Sequence, residues 1–216
     1  MDAASDQELS SDGVTKEFFS ALKRRINASE SLHELFSTRV VDLGSDIALK
    51  YSLCMDLDDV FNLQYLRSRL PGIPSPDTLG AFRSGRMTYF FMSRAPGVTL
   101  ESIWPDLTQS DKLSIQKQLN VIFQTLRAVD PRTLDDGFRL GSFTTGICKD
   151  TRRQQRVSDE LIQTEAQFNA FLFRAPNRTT PLLIKMLRSS MREDHRMVMT
   201  HGDLSPRNIM VTGNRL

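Results

Sequence analysis

The periodicity of the apolar residues changes once along the chain, between residues 93 and 99. Before that point, short runs rich in β-branched and aromatic residues read as strands: TRVVDL, DIALKYS, DTLGAF and MTYFFMS. Gly44-Ser45 and Ser84-Gly85 separate consecutive runs and supply their turns. After that point, apolar residues recur at helical spacing. The longest stretch runs from about 110 to 129, with Leu113, Ile115, Leu119, Ile122, Phe123 and Leu126 as its expected buried side. Asp130-Pro131 stops it. A sheet-forming half followed by a helix-forming half predicts an α+β protein. It would have a small antiparallel-sheet lobe over 14–93, a hinge at 94–98 and a mostly helical lobe over 99–216.

Two helices are expected within the first half. Thr15 is placed to cap one whose face carries Phe18, Phe19, Leu22 and Ile26. Asp56 or Asp58 caps the other, with Val60, Leu63, Leu66 and Leu70 at helical spacing until PGIPSP ends it. In the second half, a Gly-containing loop covers roughly 131–150, and Ser158 is expected to open a helix ending near Phe173. Thr180-Pro181 has the form of a cap followed by a first-turn proline. Short strands are expected at RMVMT and at IMV, close to the chain's end. No internal repeat is found.

Composition excludes several classes. The sequence has 216 residues, 39% hydrophobic and 25% charged, with a formal net charge of +2. That is enough apolar residue for a core and too little charge to imply a nucleic-acid partner. Arg152, Arg153 and Arg156 form the densest basic cluster, expected to be a solvated loop or helix end. Cys54 and Cys148 are far apart and lie in no Cys-x-x-C pair, which argues against a disulfide framework or zinc site and for a reducing, cytoplasmic setting. Residues 1–13 are polar and acidic, expected to be disordered, and lack a secretory pattern. No apolar run is long enough to span a membrane.

The segment HGDLSPRN, His201 to Asn208, carries the chemistry. Transfer of a phosphoryl group to a hydroxyl needs a group to orient that hydroxyl, a divalent ion to neutralise phosphate oxygens, and a cation on the remaining phosphates. A tight loop between two apolar strands can supply the first two. Asp203 would face the acceptor hydroxyl, and the Asn208 carbonyl oxygen would reach a Mg²⁺ ion. Pro206 would stiffen the span, Gly202 would let the backbone turn closely, and His201 would brace the loop by hydrogen bonds. An Asp and an Asn in a Gly/Pro-containing loop are also ordinary turn residues. Here His201, Gly202, Asp203, Leu204, Pro206 and Asn208 agree with the functional pattern together.

These residues resemble the catalytic loop of the aminoglycoside phosphotransferase and choline kinase group, whose members share the protein-kinase-like fold. Gly202, where protein kinases usually carry Arg, is more similar to the small-molecule kinases. The resemblance implies ATP and Mg²⁺ as cofactors and a small-molecule hydroxyl as acceptor. DIALKYS resembles the strand bearing the ATP lysine, which places Lys50 on the α- and β-phosphates. The following helix has Asp59, with Asp58 beside it, where relatives commonly place a Glu to hold that lysine. YFFMSRAPGVTLESIW is similar to the family's hinge, which puts backbone groups of Met92, Ser93 and Arg94 against the adenine edge. QFNAFL, after CKDTRR, resembles a segment of fungal-type members.

Two departures stand out. No G-x-G-x-x-G precedes the Lys50 strand, so the phosphate-covering loop is short or different. The family's apolar run ending in a metal-binding Asp, downstream of the Asn, is absent before Leu216. The resemblance therefore implies an incomplete helical lobe in a truncated chain, with transfer very slow or lost. An IMV strand without its partner and poor solubility are also expected. Two other readings remain: a pseudokinase that binds nucleotide or a partner without transfer, and a helical interaction domain whose final loop is coincidental. The acceptor and the oligomeric state are left open.

Overall fold

The computed structural model describes residues 14–130, 140–150, 156–174, 180–213 and 215. The expected disorder of 1–13, residues 131–139 of the expected loop, and Arg152 and Arg153 lie outside them.

The first half folds as helix α1 (Val14–Asn27), strands β1 (Glu30–Leu35), β2 (Thr38–Gly44) and β3 (Ile47–Ser52), helix α2 (Leu57–Arg69), and strands β4 (Thr78–Ser84) and β5 (Met87–Ser93). The strands form one antiparallel sheet in the order β1-β2-β3-β5-β4. β3 lies at its centre and pairs Lys50 with Val40 on one side and Phe90 on the other. Alternation along the strands sorts the two faces. Val41, Leu49, Tyr51, Phe82, Tyr89 and Phe91 share one face and pack with Leu22 and Ile26 of α1. Phe18 and Phe19 meet Phe82 edge-on, each with ring centroids 5.6 Å away. Leu49 is wholly buried, and burial of such a side chain stabilises the fold by about 1.5–3 kcal/mol. The opposite face carries Lys50, Ser52, Thr88 and Phe90. There the buried Thr88 hydroxyl donates to the Met55 carbonyl at 2.7 Å, tying β5 to the chain entering α2.

The β1 strand was not expected, and α1 takes in Thr15, which was expected as its cap. At α2, Asp56 is the cap. Its carboxylate accepts the Asp58 N–H, and the Asp59 carboxylate accepts the Asp56 N–H in return.

The second half begins where Gly97 adopts φ +91°, a left-handed conformation that favours glycine. A Cβ there would lie 2.2 Å from the Val211 carbonyl oxygen, so the close approach of the two backbones also requires Gly97. Next come β6 (Val98–Thr99), α3 (Leu100–Ile103) and α4 (Gln109–Ala128), then β7 (Lys149–Asp150), β8 (Arg156–Val157), α5 (Glu165–Leu172), α6 (Pro181–Ser190) and β9 (Met210–Val211). Thr108 caps α4 in a capping box with Asp111. Leu100, Ile115 and Val211 form a second core, with Ile103, Leu107, Leu119 and Ile209 packed around it. The inward face of α4 follows the sequence expectation except at Leu113, which is exposed. At 100° per residue it lies about 200° from Ile115.

Four further expectations need correction. Strand β9 is paired, antiparallel with β6, with Val98 opposite Val211 and Thr99 opposite Met210. RMVMT forms no strand. Helix α5 starts at Glu165 behind the Thr164 cap. Ser158 is instead buried beside β7, donating its N–H to the Cys148 carbonyl (2.9 Å) and accepting the Cys148 N–H (3.0 Å). Arg156 is no solvated loop residue: it pairs with Asp150 at 2.7 Å and donates to the Leu172 carbonyl. Among the described residues, no helix is long and apolar enough to cross a membrane.

Candidate active site

The HGDLSPRN loop is held at both ends of its turn. Ser205 adopts an extended conformation and precedes a 3₁₀ turn over Pro206–Asn208. Proline suits the first position of such a turn because its φ is already fixed. The Asn208 N–H donates to the Ser205 carbonyl at 2.9 Å. Past the turn, Ile209 offers its carbonyl to the Leu100 N–H at 2.8 Å, and β9 then joins β6. The loop is thereby fastened to the second core through the backbone of α3 and through Val211.

Within the loop, Asn208 turns its amide nitrogen to Asp203, 2.9 Å from the backbone oxygen and 3.3 Å from Oδ2. The Asp203 N–H donates to His201 Nδ1 at 3.2 Å. That contact leaves Nδ1 as the acceptor nitrogen of the imidazole. Gly202, with φ +71°, lets the chain reverse between the two. His201, Asp203 and Asn208 are all exposed. The sequence-predicted carboxylate and amide therefore stand side by side on the open face of one loop. With its nitrogen turned to Asp203, Oδ1 is the Asn208 atom that could hold a cation, since a neutral oxygen is a donor that fits Mg²⁺. Among the described residues, no cluster of three or more His, Cys, Asp or Glu residues could hold a metal by itself.

Lys50 lies at mid-strand in β3, on the sheet face away from α1. Asp59 is on the first turn of α2. The residue as a whole is exposed, but the protein around its carboxyl raises it above the ordinary carboxylate value. The Asp56 N–H opposes that rise, the Asp56 charge adds to it, and Lys50 and Lys149 both favour the ionised form. Among the described residues Lys50 and Asp59 form no ion pair: an Asp59 oxygen serves the helix cap instead, and the lysine acts on it only through its nearby charge.

Met92 is paired in the sheet on both sides, opposite Ala48 and Thr78. The Ser93 N–H donates to the Asp77 carbonyl (2.9 Å) and the Arg94 N–H to the Asp46 carbonyl (2.7 Å). The Arg94 guanidinium pairs with Asp42 at 2.6 Å. The strand leaving the sheet is therefore rigidly held on the approach to Gly97.

Sequence reasoning missed a second constellation. Lys149 Nζ lies 2.6 Å from Asp58 Oδ2 and 3.1 Å from Asp56 Oδ2. Partial burial pulls the Lys149 ammonium down, but the two carboxylates outweigh it and hold it above the usual lysine range. Burial likewise raises Asp56, while the Asp58 N–H and Lys149 bring it below its ordinary value. The only sequence signal was the pair of aspartates at the α2 cap.

The fold matches a known one. The chain has the fold of the aminoglycoside kinases. One similar crystal structure is a thermostable mutant of aminoglycoside phosphotransferase APH(4)-Ia in a ternary complex with ADP and hygromycin B. Its TM-score is 0.58 at 16% identity, covering 94% of this chain and 68% of that one. Another thermostable mutant of the same enzyme, in complex with AMP-PNP and hygromycin B, gives a TM-score of 0.58 at 15% identity, covering 91% of this chain and 68% of that one. No curated protein matches the chain. The phosphotransferase enzyme family, APH, matches residues 46–216, and the chain belongs to that family.

Proposed function

We propose that this protein binds ATP with Mg²⁺ and transfers the γ-phosphoryl group to a hydroxyl of a small molecule. The observation that carries the reading is the contact of Asn208 with Asp203 across the HGDLSPRN turn. Transfer to a hydroxyl calls for a carboxylate to orient the acceptor beside an oxygen that can hold a cation, and this contact supports both roles. Family membership over residues 46–216 and the nucleotide complexes of the similar structures support it.

Asp203 accepts the hydrogen of the acceptor hydroxyl and aims its oxygen at the γ-phosphorus. The new P–O bond forms as the bond from that phosphorus to the β,γ-bridging oxygen breaks, and ADP leaves. His201 holds the backbone of Asp203 through its Nδ1 contact. Lys50 meets the α- and β-phosphates and Asp59 favours its orientation. Asn208 Oδ1 would hold Mg²⁺, which neutralises phosphate oxygens when bound. Adenine is assigned to the backbone of Met92, Ser93 and Arg94. Since the N–H groups of Ser93 and Arg94 already donate within the chain, the base would meet carbonyl oxygens there. Aminoglycosides, choline, other amino alcohols and sugars are the candidate acceptors. The two free, widely separated cysteines support a cytoplasmic setting.

The test is a panel of those acceptors with Mg²⁺ and ATP, read as ADP release, alongside nucleotide binding by fluorescence. Asp203→Ala should abolish transfer and keep nucleotide affinity, and Lys50→Ala should weaken nucleotide binding. Nucleotide binding indifferent to Lys50 would defeat the proposal.

A further inference from the structure

The segment from Ser142 to Lys149 grips one face of α2 at four points. Asn62 Oδ1 accepts both the Phe143 N–H (2.8 Å) and the Ser142 hydroxyl (3.2 Å). Tyr65 stacks on Phe143 with centroids 4.7 Å apart. Thr145 donates its hydroxyl to Asp58 Oδ2 at 3.1 Å, and Lys149 reaches the same oxygen at 2.6 Å. Asp58, Asn62 and Tyr65 are spaced i, i+4, i+7, a single stripe along the helix. The grip is built to one shape. Gly141, with φ +147°, passes so close to Gly146 and Ile147 that a Cβ would lie 2.6 Å from backbone atoms of both. The Ser142 N–H closes the loop on the Ile147 carbonyl at 3.1 Å. On either side of Lys149, the Cys148–Ser158 bonds and the Arg156–Asp150 pair anchor β7 and β8, and Arg156 carries the anchor to α5. The second half of the chain thus holds α2, which bears Asp59.

We propose that Lys149 is a positioning residue for the nucleotide site: by clamping Asp56 and Asp58 it fixes the first turn of α2, so that Asp59 stays set to orient Lys50. The inference rests on the nucleotide-binding reading of Lys50. The geometry runs through the helix cap. Asp56 caps the helix, Asp58 and Asp59 are in its first turn, and the Asp59 carboxylate closes the capping box on the Asp56 N–H. Displacing the cap displaces Asp59 with it. Asp58 is largely buried, so losing its cation leaves a carboxylate that only rearrangement of the turn can rehydrate. Lys149 belongs to the segment after α4 rather than to the sheet. It therefore couples the order of the second half to the phosphate-binding lysine of the first.

The test measures the dissociation constant of a fluorescent ATP analogue with Mg²⁺. The proteins are wild type, Lys149→Met, Lys149→Arg, Lys50→Ala and the double variant Lys50→Ala/Lys149→Met. Lys149→Met should weaken binding about fivefold or more, the usual size of coupling between linked sites. Lys149→Arg should restore most of that loss. In the Lys50→Ala background, Lys149→Met should have no further effect, because its influence passes through Lys50. A general loss of structure would instead weaken binding in both backgrounds. If Lys149→Met does not fold, Lys149→Gln takes its place in the same cycle. Unchanged affinity in the Lys149 variant, or equal losses with and without Lys50, overturns the positioning role alone. Wild-type protein that binds no nucleotide, or that binds it equally well without Lys50, overturns the parent reading too.

Discussion

Gly97→Ala is the perturbation whose size the structure sets most sharply. Gly97 has φ +91°, where an L side chain is strained by about 1–2 kcal/mol. A Cβ would also lie 2.2 Å from the Val211 carbonyl oxygen, 2.7 Å from the Val211 carbonyl carbon and 2.6 Å from Thr212 Oγ1. The first two are backbone atoms of β9, and Val211 is anchored in the core with Leu100 and Ile115. Rotation of a side chain cannot relieve those contacts, so β9 must move, and overpacking of that kind costs about 1–3 kcal/mol. The combined loss is about 3 kcal/mol, or about 6–12 °C in Tm for a chain of this size. The control is Gly85→Ala, with φ +58° and nothing within 4 Å of its Cβ, which carries only the backbone strain. Urea unfolding of both variants isolates the contact. Gly97→Ala should also weaken nucleotide binding, because Asn208 lies two residues before β9. Equal destabilisation of the two variants would refute the claim that the β6–β9 approach demands glycine.

Leu49→Ala should destabilise the protein by about 2–5 kcal/mol, since Leu49 is wholly buried beneath α1, and thermal unfolding checks it. Thr108→Ala should cost about 0.5–2 kcal/mol through loss of the α4 cap, read as a lower urea midpoint. The stability difference between wild type and Lys149→Met should depend on pH at both ends. Asp56 is lowered in the folded state, so its share is present above the ordinary carboxylate value near 4 and is lost as pH falls through its lower folded value. Lys149 is raised, so its share is complete below about 10.4 and is lost as pH rises through its higher folded value. Urea unfolding across the pH range should give a plateau between, and a difference that varies within the plateau would contradict the pairing.

Much of the first half was legible because strand chemistry and glycine turns coincide there. Strands β2 to β5 fall on the runs that alternate, and the cap of α2 falls on Asp56, one of the two aspartates the sequence offered. Strand β1 was not, because ESLHEL is polar at an exposed edge of the sheet, where burial imposes little pattern. In the second half, Ser158 was expected to open α5, but Thr164 caps it. Ser158 is instead tied to Cys148, a contact between chain segments that no local rule contains. RMVMT shows the converse, a strand-like pattern that forms no strand. The HGDLSPRN loop was readable since its bonds are local, within five residues. Lys149 was not, because its partners lie 91 and 93 residues away.

The central claim is that Asp203 and Asn208 form the acceptor and cation side of a phosphoryl-transfer loop. Calorimetric titration of ATP into wild type and Asn208→Ala, with and without Mg²⁺, tests it most directly. The account predicts that Mg²⁺ tightens ATP binding to the wild type and that this gain is lost in Asn208→Ala. A wild type that binds ATP with no benefit from Mg²⁺, or a gain that survives the substitution, would contradict it.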